Sequence, residues 1–170
     1  MKLLTCGCFD LLHYGHIKFF ERASRFGDVV VALGEDDLVK RLKGEDRPIF
    51  TLEQRTAMLQ ACRYVSEVIP HGFNENMSAE FQRLVDCVKP DAFVQGQLHG
   101  KGHAQIREVM AVNEIPIITV NSVTIHTSNI VEKIRDVGEG LVPAPNEKAA
   151  TENPPYYFDE PGDVVKGKAQ

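Results

Sequence analysis

The chain has 170 residues, 43% hydrophobic and 25% charged, with a formal net charge of −5. That length allows one domain with an appended tail, and the acidic balance argues against a dedicated nucleic-acid binder, which carries a basic excess. No apolar run approaches the ~20 residues of a membrane span, and four cysteines without a dense framework suggest reduced thiols and a cytoplasmic setting.

In chain order, Lys2–Cys6 reads as a short buried strand. Leu12 to Phe26 reads as a helix with Leu12, Phe19, Ala23 and Phe26 on one stripe. Gly27-Asp28 is a turn, and Val29–Leu33 is a β-branched strand. A short helix is expected over Asp36 to Leu42. Thr51-Leu52-Glu53-Gln54 has capping-box spacing, ahead of a helix to about Cys62. Val65–Ile69 is a strand that Pro70 ends, and Ser78 to Val88 is an amphipathic helix. Ala92–Gln95 is a strand followed by glycines, His103 to Asn113 a helix, and Ile115–Val120 a strand. Thr127 or Ser128 caps a last helix to Arg135. Strands alternating with helices predict βαβ units and an α/β fold, a Rossmann-like doubly wound parallel sheet of about five strands in a single domain. Domain organisation follows: a folded region over 1–136, then an irregular, Pro-rich acidic tail over 137–170 with a Tyr156-Tyr157-Phe158 cluster.

GCFDLLHYGH, Gly7 to His16, closes the first strand and opens the first helix, where such sheets bind ligands. His13 and His16 lie three apart and share a helix face. Three readings stand: a zinc site with Cys6 or Cys8 as third ligand, two solvated surface histidines, or a phosphate grip. The grip has a mechanism: the first helical turn offers unpaired N–H groups and a positive dipole end, and imidazole N–H groups donate to phosphate oxygens. Gly7 permits the turn, and Gly15 leaves room between the rings. KRLKGEDRP, Lys40 to Pro48, is a basic cluster in an acidic chain. IHTSNI, Ile125 to Ile130, precedes the last helix, and GQLHGKGH, Gly96 to His103, follows the fourth strand.

GCFDLLHYGHIKFFERASRFGD resembles the opening of the cytidylyltransferase-like nucleotidyltransferases, whose signature is His-x-Gly-His after a Gly-x-Phe-Asp turn. The resemblance covers roughly residues 2 to 136. It implies transfer of a nucleotidyl group from CTP or ATP to a phosphorylated small molecule, with pyrophosphate released. It implies that His13, His16 and Lys43 are catalytic, and that Gly7, Cys8, Phe9, Asp10, Gly15, Arg47, Gly96, Thr127 and Ser128 line the nucleotide. Arg55, Gln97, Lys101 and Asn121 are placed at the acceptor, with Arg55 equally readable as a structural ion-pair residue. Three positions depart from the family pattern: Gln97 for an aspartate, Asn121 near a usual arginine, and His126 for a serine. Mg²⁺ is implied as a companion of the nucleotide, with no side-chain ligand assigned, and a homodimer as the assembly.

For the substrate, LLHYGHIKFFERA and RYVSEVIP resemble glycerol-3-phosphate cytidylyltransferase, which favours CTP and a small phosphorylated polyol. GCFD with HYGH also resembles ethanolamine-phosphate cytidylyltransferase, and KRLKGEDRP with LEQR resembles the heptose-1-phosphate adenylyltransferase domain. Outside this class stand a non-catalytic nucleotide-binding regulator and an aminoacyl-tRNA synthetase fragment. The short acidic chain speaks against the second.

Overall fold

The computed structural model describes residues 1–72, 76–96, 104–121 and 127–140, with backbone alone at 128, 129 and 137–140. The chain divides into two units, Met1–Asn129 and Ile130–Gln170. Its elements are β1 (Lys2–Gly7), α1 (Tyr14–Ala23), β2 (Asp28–Gly34), α2 (Asp36–Lys43), α3 (Leu52–Gln60), β3 (Glu67–His71), α4 (Met77–Val88), β4 (Ala92–Gln95), α5 (Ala104–Val112), β5 (Ile117–Thr119) and α6 (Thr127–Gly140). The expected tail from 141 onward, with its aromatic cluster, lies outside the described residues.

The strands make one five-stranded sheet in the order β3-β2-β1-β4-β5, and every pairing is parallel. Alternation along each strand divides the core in two. Leu3, Val29, Val31 and Leu33 face one side, with Phe19, Phe20, Ala23 and Leu59 from α1 and α3. Leu4, Val30 and Ala32 face the other, with Phe81, Leu84 and Val88 from α4 and Ile106, Val109 and Met110 from α5. Each fully buried large apolar side chain contributes roughly 1.5–3 kcal/mol, which is why the central strands read as unbroken apolar runs. The chain walks outward from β1 to β3, then crosses back to place β4 beside β1. The carboxyl ends of β1 and β4 therefore flank the switch point where such sheets bind ligands.

Several boundaries differ from expectation, each for a local reason. α1 begins at Tyr14, not Leu12, because Phe9 and Leu11 both take positive φ, 43° and 54°. The chain spends those residues in a tight turn before it can wind. α1 also ends at Ala23, so Phe26 leaves the buried stripe and is 49% exposed. Gly27 then turns at φ +156°, where an added Cβ would sit 2.0 Å from the Met1 carbonyl oxygen. β3 continues through Pro70 to His71. As an outermost strand it has a side with no ladder to complete, so the missing proline N–H is tolerated. β5 keeps only Ile117–Thr119, while α6 runs past Arg135 to Gly140.

Candidate active site

Gly7 ends β1, and the chain must turn at once to start α1. Phe9 folds back over Gly7, so that an added Cβ at Gly7 would lie 2.8 Å from the Phe9 ring. The same ring sits edge-on to His16 at 5.1 Å and against Phe20 at 5.0 Å. Two non-glycine residues at positive φ cost about 1–2 kcal/mol each, and backbone strain of this kind persists only where surrounding bonds over-determine it.

Those bonds converge on Asp10, which lies between the two strained residues and is 6% exposed. Its carboxylate accepts from the Arg47 guanidinium at 2.7 Å, from Ile49 N–H at 3.0 Å and from Phe50 N–H at 3.1 Å. Its backbone carbonyl accepts from the Thr127 hydroxyl at 3.0 Å. One residue thus joins the His-bearing turn, the loop after α2 and the first residue of α6.

His13 is the N-cap of α1, and its Nδ1 accepts from the His16 N–H at 3.4 Å. With Nδ1 used as an acceptor, a neutral His13 carries its proton on Nε2. The His13 and His16 rings stack with centroids 3.6 Å apart and planes 17° from parallel. Two stacked imidazolium ions would repel strongly. Burial, and then the neighbouring His13, push His16 down to a pKa of about 3. Its Nδ1 is buried without a hydrogen-bond partner among the described residues. Gly15 is buried between them in the first turn. The pair is therefore a close-set source of N–H donors, with His16 held neutral, at a helix N-terminus that already favours anions.

Lys43 is the last residue of α2. Burial raises the Cys8 thiol, and the charges of Lys43, Arg55 and Arg47 oppose that rise while Asp10 adds to it. Lys43 is thus close enough for its charge to act on the turn. Cys6 is pushed up to about 12, by burial first and then by Cys8. A thiol with that pKa is no nucleophile at neutral pH.

Arg55, readable as an acceptor ligand or as a structural ion-pair residue, takes the second place. It is 0% exposed, and its guanidinium donates to the carbonyls of Phe50 at 3.0 Å, Cys8 at 2.7 Å and Gly34 at 2.8 Å, and pairs with Asp36 at 2.6 Å. With these four partners it ties loops together and presents nothing to a ligand. Asp36 as its partner was missed, because nothing local in DDLVK marks one aspartate out from the next. Also unforeseen were His71, 3% exposed at the end of β3, and Glu80, 4% exposed and paired with Arg83.

The other expected residues fall as follows. Gly96 directly follows β4, beside β1 at the switch point. Asn121 follows the sheet's last edge, and its carbonyl accepts from the Arg22 guanidinium. Ser128 lies in the first turn of α6, where only the backbone is described. Gln97, Lys101, His99, His103 and His126 lie outside the described residues. Among the described residues no three His, Cys, Asp or Glu side chains gather to hold a metal ion. None of the described helices is long and apolar enough to cross a membrane.

The stacked histidine pair thus lies at the switch point of a parallel sheet, with the Lys43 charge acting on the same turn and the first residue of α6 bonded to it. The model of the cytidylyltransferase-like family matches residues 4–139, and the chain belongs to that family of nucleotidyltransferase enzymes. It is 40% identical over 139 residues to the bifunctional protein HldE of Campylobacter jejuni (strain RM1221), covering 79% of this chain and 28% of that protein. It is 39% identical over 136 residues to the protein of the same name from Haemophilus influenzae (strain PittEE), with 78% and 27% covered. The chain thus spans little more than a quarter of these relatives. Among solved structures, the lipopolysaccharide core biosynthesis protein from Thermoplasma volcanium GSS1 superposes with a TM-score of 0.58 at 25% identity, covering 74% of this chain and 98% of that one.

Proposed function

We propose that this protein transfers a nucleoside monophosphate from a nucleoside triphosphate to a phosphorylated small molecule, releasing pyrophosphate. The observation that carries this reading is the His13–His16 stack at the N-terminus of α1, in a turn whose carbonyl also holds the first residue of α6. An oxygen of the acceptor phosphate attacks the α-phosphorus in line. The bond from that phosphorus to the bridging oxygen breaks, and pyrophosphate leaves with the electron pair. Such a transfer asks little covalent work of a protein and much positioning and charge stabilisation. His13, through Nε2–H, and His16 donate to the α- and β-phosphate oxygens. Lys43 offsets charge growing on the leaving group, and the backbone N–H groups of Thr127 and Ser128 at the start of α6 receive the outer phosphates. Mg²⁺ bound to the nucleotide supplies further charge neutralisation. The Asp10 carboxylate is already occupied by three donors and is not free to ligate it.

For the substrates we propose ATP and a sugar phosphate of the heptose-1-phosphate kind. The resemblance of KRLKGEDRP and LEQR to that adenylyltransferase domain supports it, as does the similarity to the HldE proteins. CTP with glycerol 3-phosphate is the second reading, favoured by LLHYGHIKFFERA and RYVSEVIP. A pyrophosphate-release screen crossing ATP, CTP, UTP and GTP with phosphorylated sugars, polyols and amino alcohols decides between them. Turnover with ATP and a sugar 1-phosphate is expected. Turnover confined to CTP and glycerol 3-phosphate would replace the first pair by the second.

A further inference from the structure

The family resemblance puts Arg47 on the nucleotide, but the geometry points elsewhere. Its side chain is 14% exposed and bonds to Asp10, whose side chain is 7% exposed, at 2.7 Å. The same carboxylate is wrapped by the successive N–H groups of Ile49 and Phe50. A guanidinium and two adjacent backbone donors are the ligand set that proteins use to hold an external anion. Here the anion is internal. Asp10 stands between Phe9 at φ 43° and Leu11 at φ 54°, the strained residues that aim Phe9 at His16 and deliver the chain to His13.

We propose that Arg47 is a positioning residue, acting through Asp10: the clasp holds the strained turn so that the His13–His16 pair is set before the nucleotide arrives. This rests on the nucleotidyl-transfer reading above, and it replaces Arg47 as a phosphate ligand. Asp10 and Arg47 then act as one unit. Residues that act as a unit give non-additive losses when removed together, whereas independent contacts multiply.

The test is a double-mutant cycle of D10N, R47Q and D10N/R47Q, with R47K beside it. Turnover is read by pyrophosphate release with the best substrate pair of the screen, and binding by calorimetry with α,β-methylene-ATP. Misplacing a catalytic pair by about an ångström costs on the order of 100-fold. Each single variant is expected to lose that much in kcat, with the analogue's Kd within about threefold of wild type. The double variant should lose no more than either single, and R47K, able to remake one charged bond, should recover to within about tenfold of wild type. A double loss near the product of the singles, or an R47Q variant that binds the analogue tenfold more weakly while D10N does not, would overturn the proposal. Amide hydrogen exchange reads the clasp without any turnover. Ile49 and Phe50 N–H should be protected in the wild type and should exchange faster in D10N and in R47Q; amides already unprotected in the wild type would sink the clasp. A wild type that binds no analogue and releases no pyrophosphate contradicts the functional reading instead, and is told apart by that exchange measurement.

Discussion

His16 couples the site to pH. Its folded pKa of about 3 lies below the ordinary 6.5, so between those values the unfolded chain takes up a proton that the folded chain refuses. Stability from this group is complete above about pH 6.5 and falls as the pH drops toward 3. Buried His71 is shifted in the same direction, chiefly by desolvation, and adds to the slope. Melting temperature measured from pH 7.5 down to 4.5 should therefore decline, and H16N should decline less steeply than the wild type. An equal slope in both would mean His16 is not held neutral. At the reaction itself, H16A should lower turnover by about 10²–10³-fold, the scale of removing one donor to developing charge, while circular dichroism shows the fold intact. Gly7→Ala forces the Phe9 ring off its place against His16 and Phe20. It should cost more in kcat than in stability, measured by turnover and melting on the same preparation.

At the scale of elements, Arg55 is an internal fastening with four partners. It joins α3 to the β1–α1 turn, the end of β2 and the start of α2. Arg55→Gln leaves buried carbonyls unpaired and should destabilise the fold by roughly 3–5 kcal/mol, read as a lower denaturant midpoint. A change under about 1 kcal/mol would contradict its assigned role. The sequence left Arg55 open between ligand and structural ion-pair residue, because its partners come from 5 to 47 residues away. What was legible depended on nearby residues. The Thr51–Gln54 capping box was, and both of its reciprocal bonds form, at 3.4 and 3.1 Å. The buried strands β1 and β2 were legible as apolar runs. The left-handed turn at Phe9 and Leu11 was not, since neither residue type signals positive φ. Pro70 misled because a strand's place at the sheet edge is a property of topology, not of local sequence.

For the whole molecule, the doubly wound order brings residues distant in the chain to one end of one strand. Asp10 and Thr127 are 117 positions apart and share a hydrogen bond. The fold class could be read from alternation alone, and the His-x-Gly-His pair from its place after the first strand. The lacing among them, Asp10 to Arg47 and Arg55 to Cys8, needed three dimensions. The central claim is that this lacing sets the stacked His13–His16 pair for nucleotidyl transfer. The most direct measurement is pyrophosphate release with ATP and a sugar 1-phosphate, wild type against H16A. Release matched one-for-one by loss of acceptor, and nearly abolished in H16A, is the predicted result. No release with any triphosphate and acceptor, or equal release by the two proteins, would contradict it.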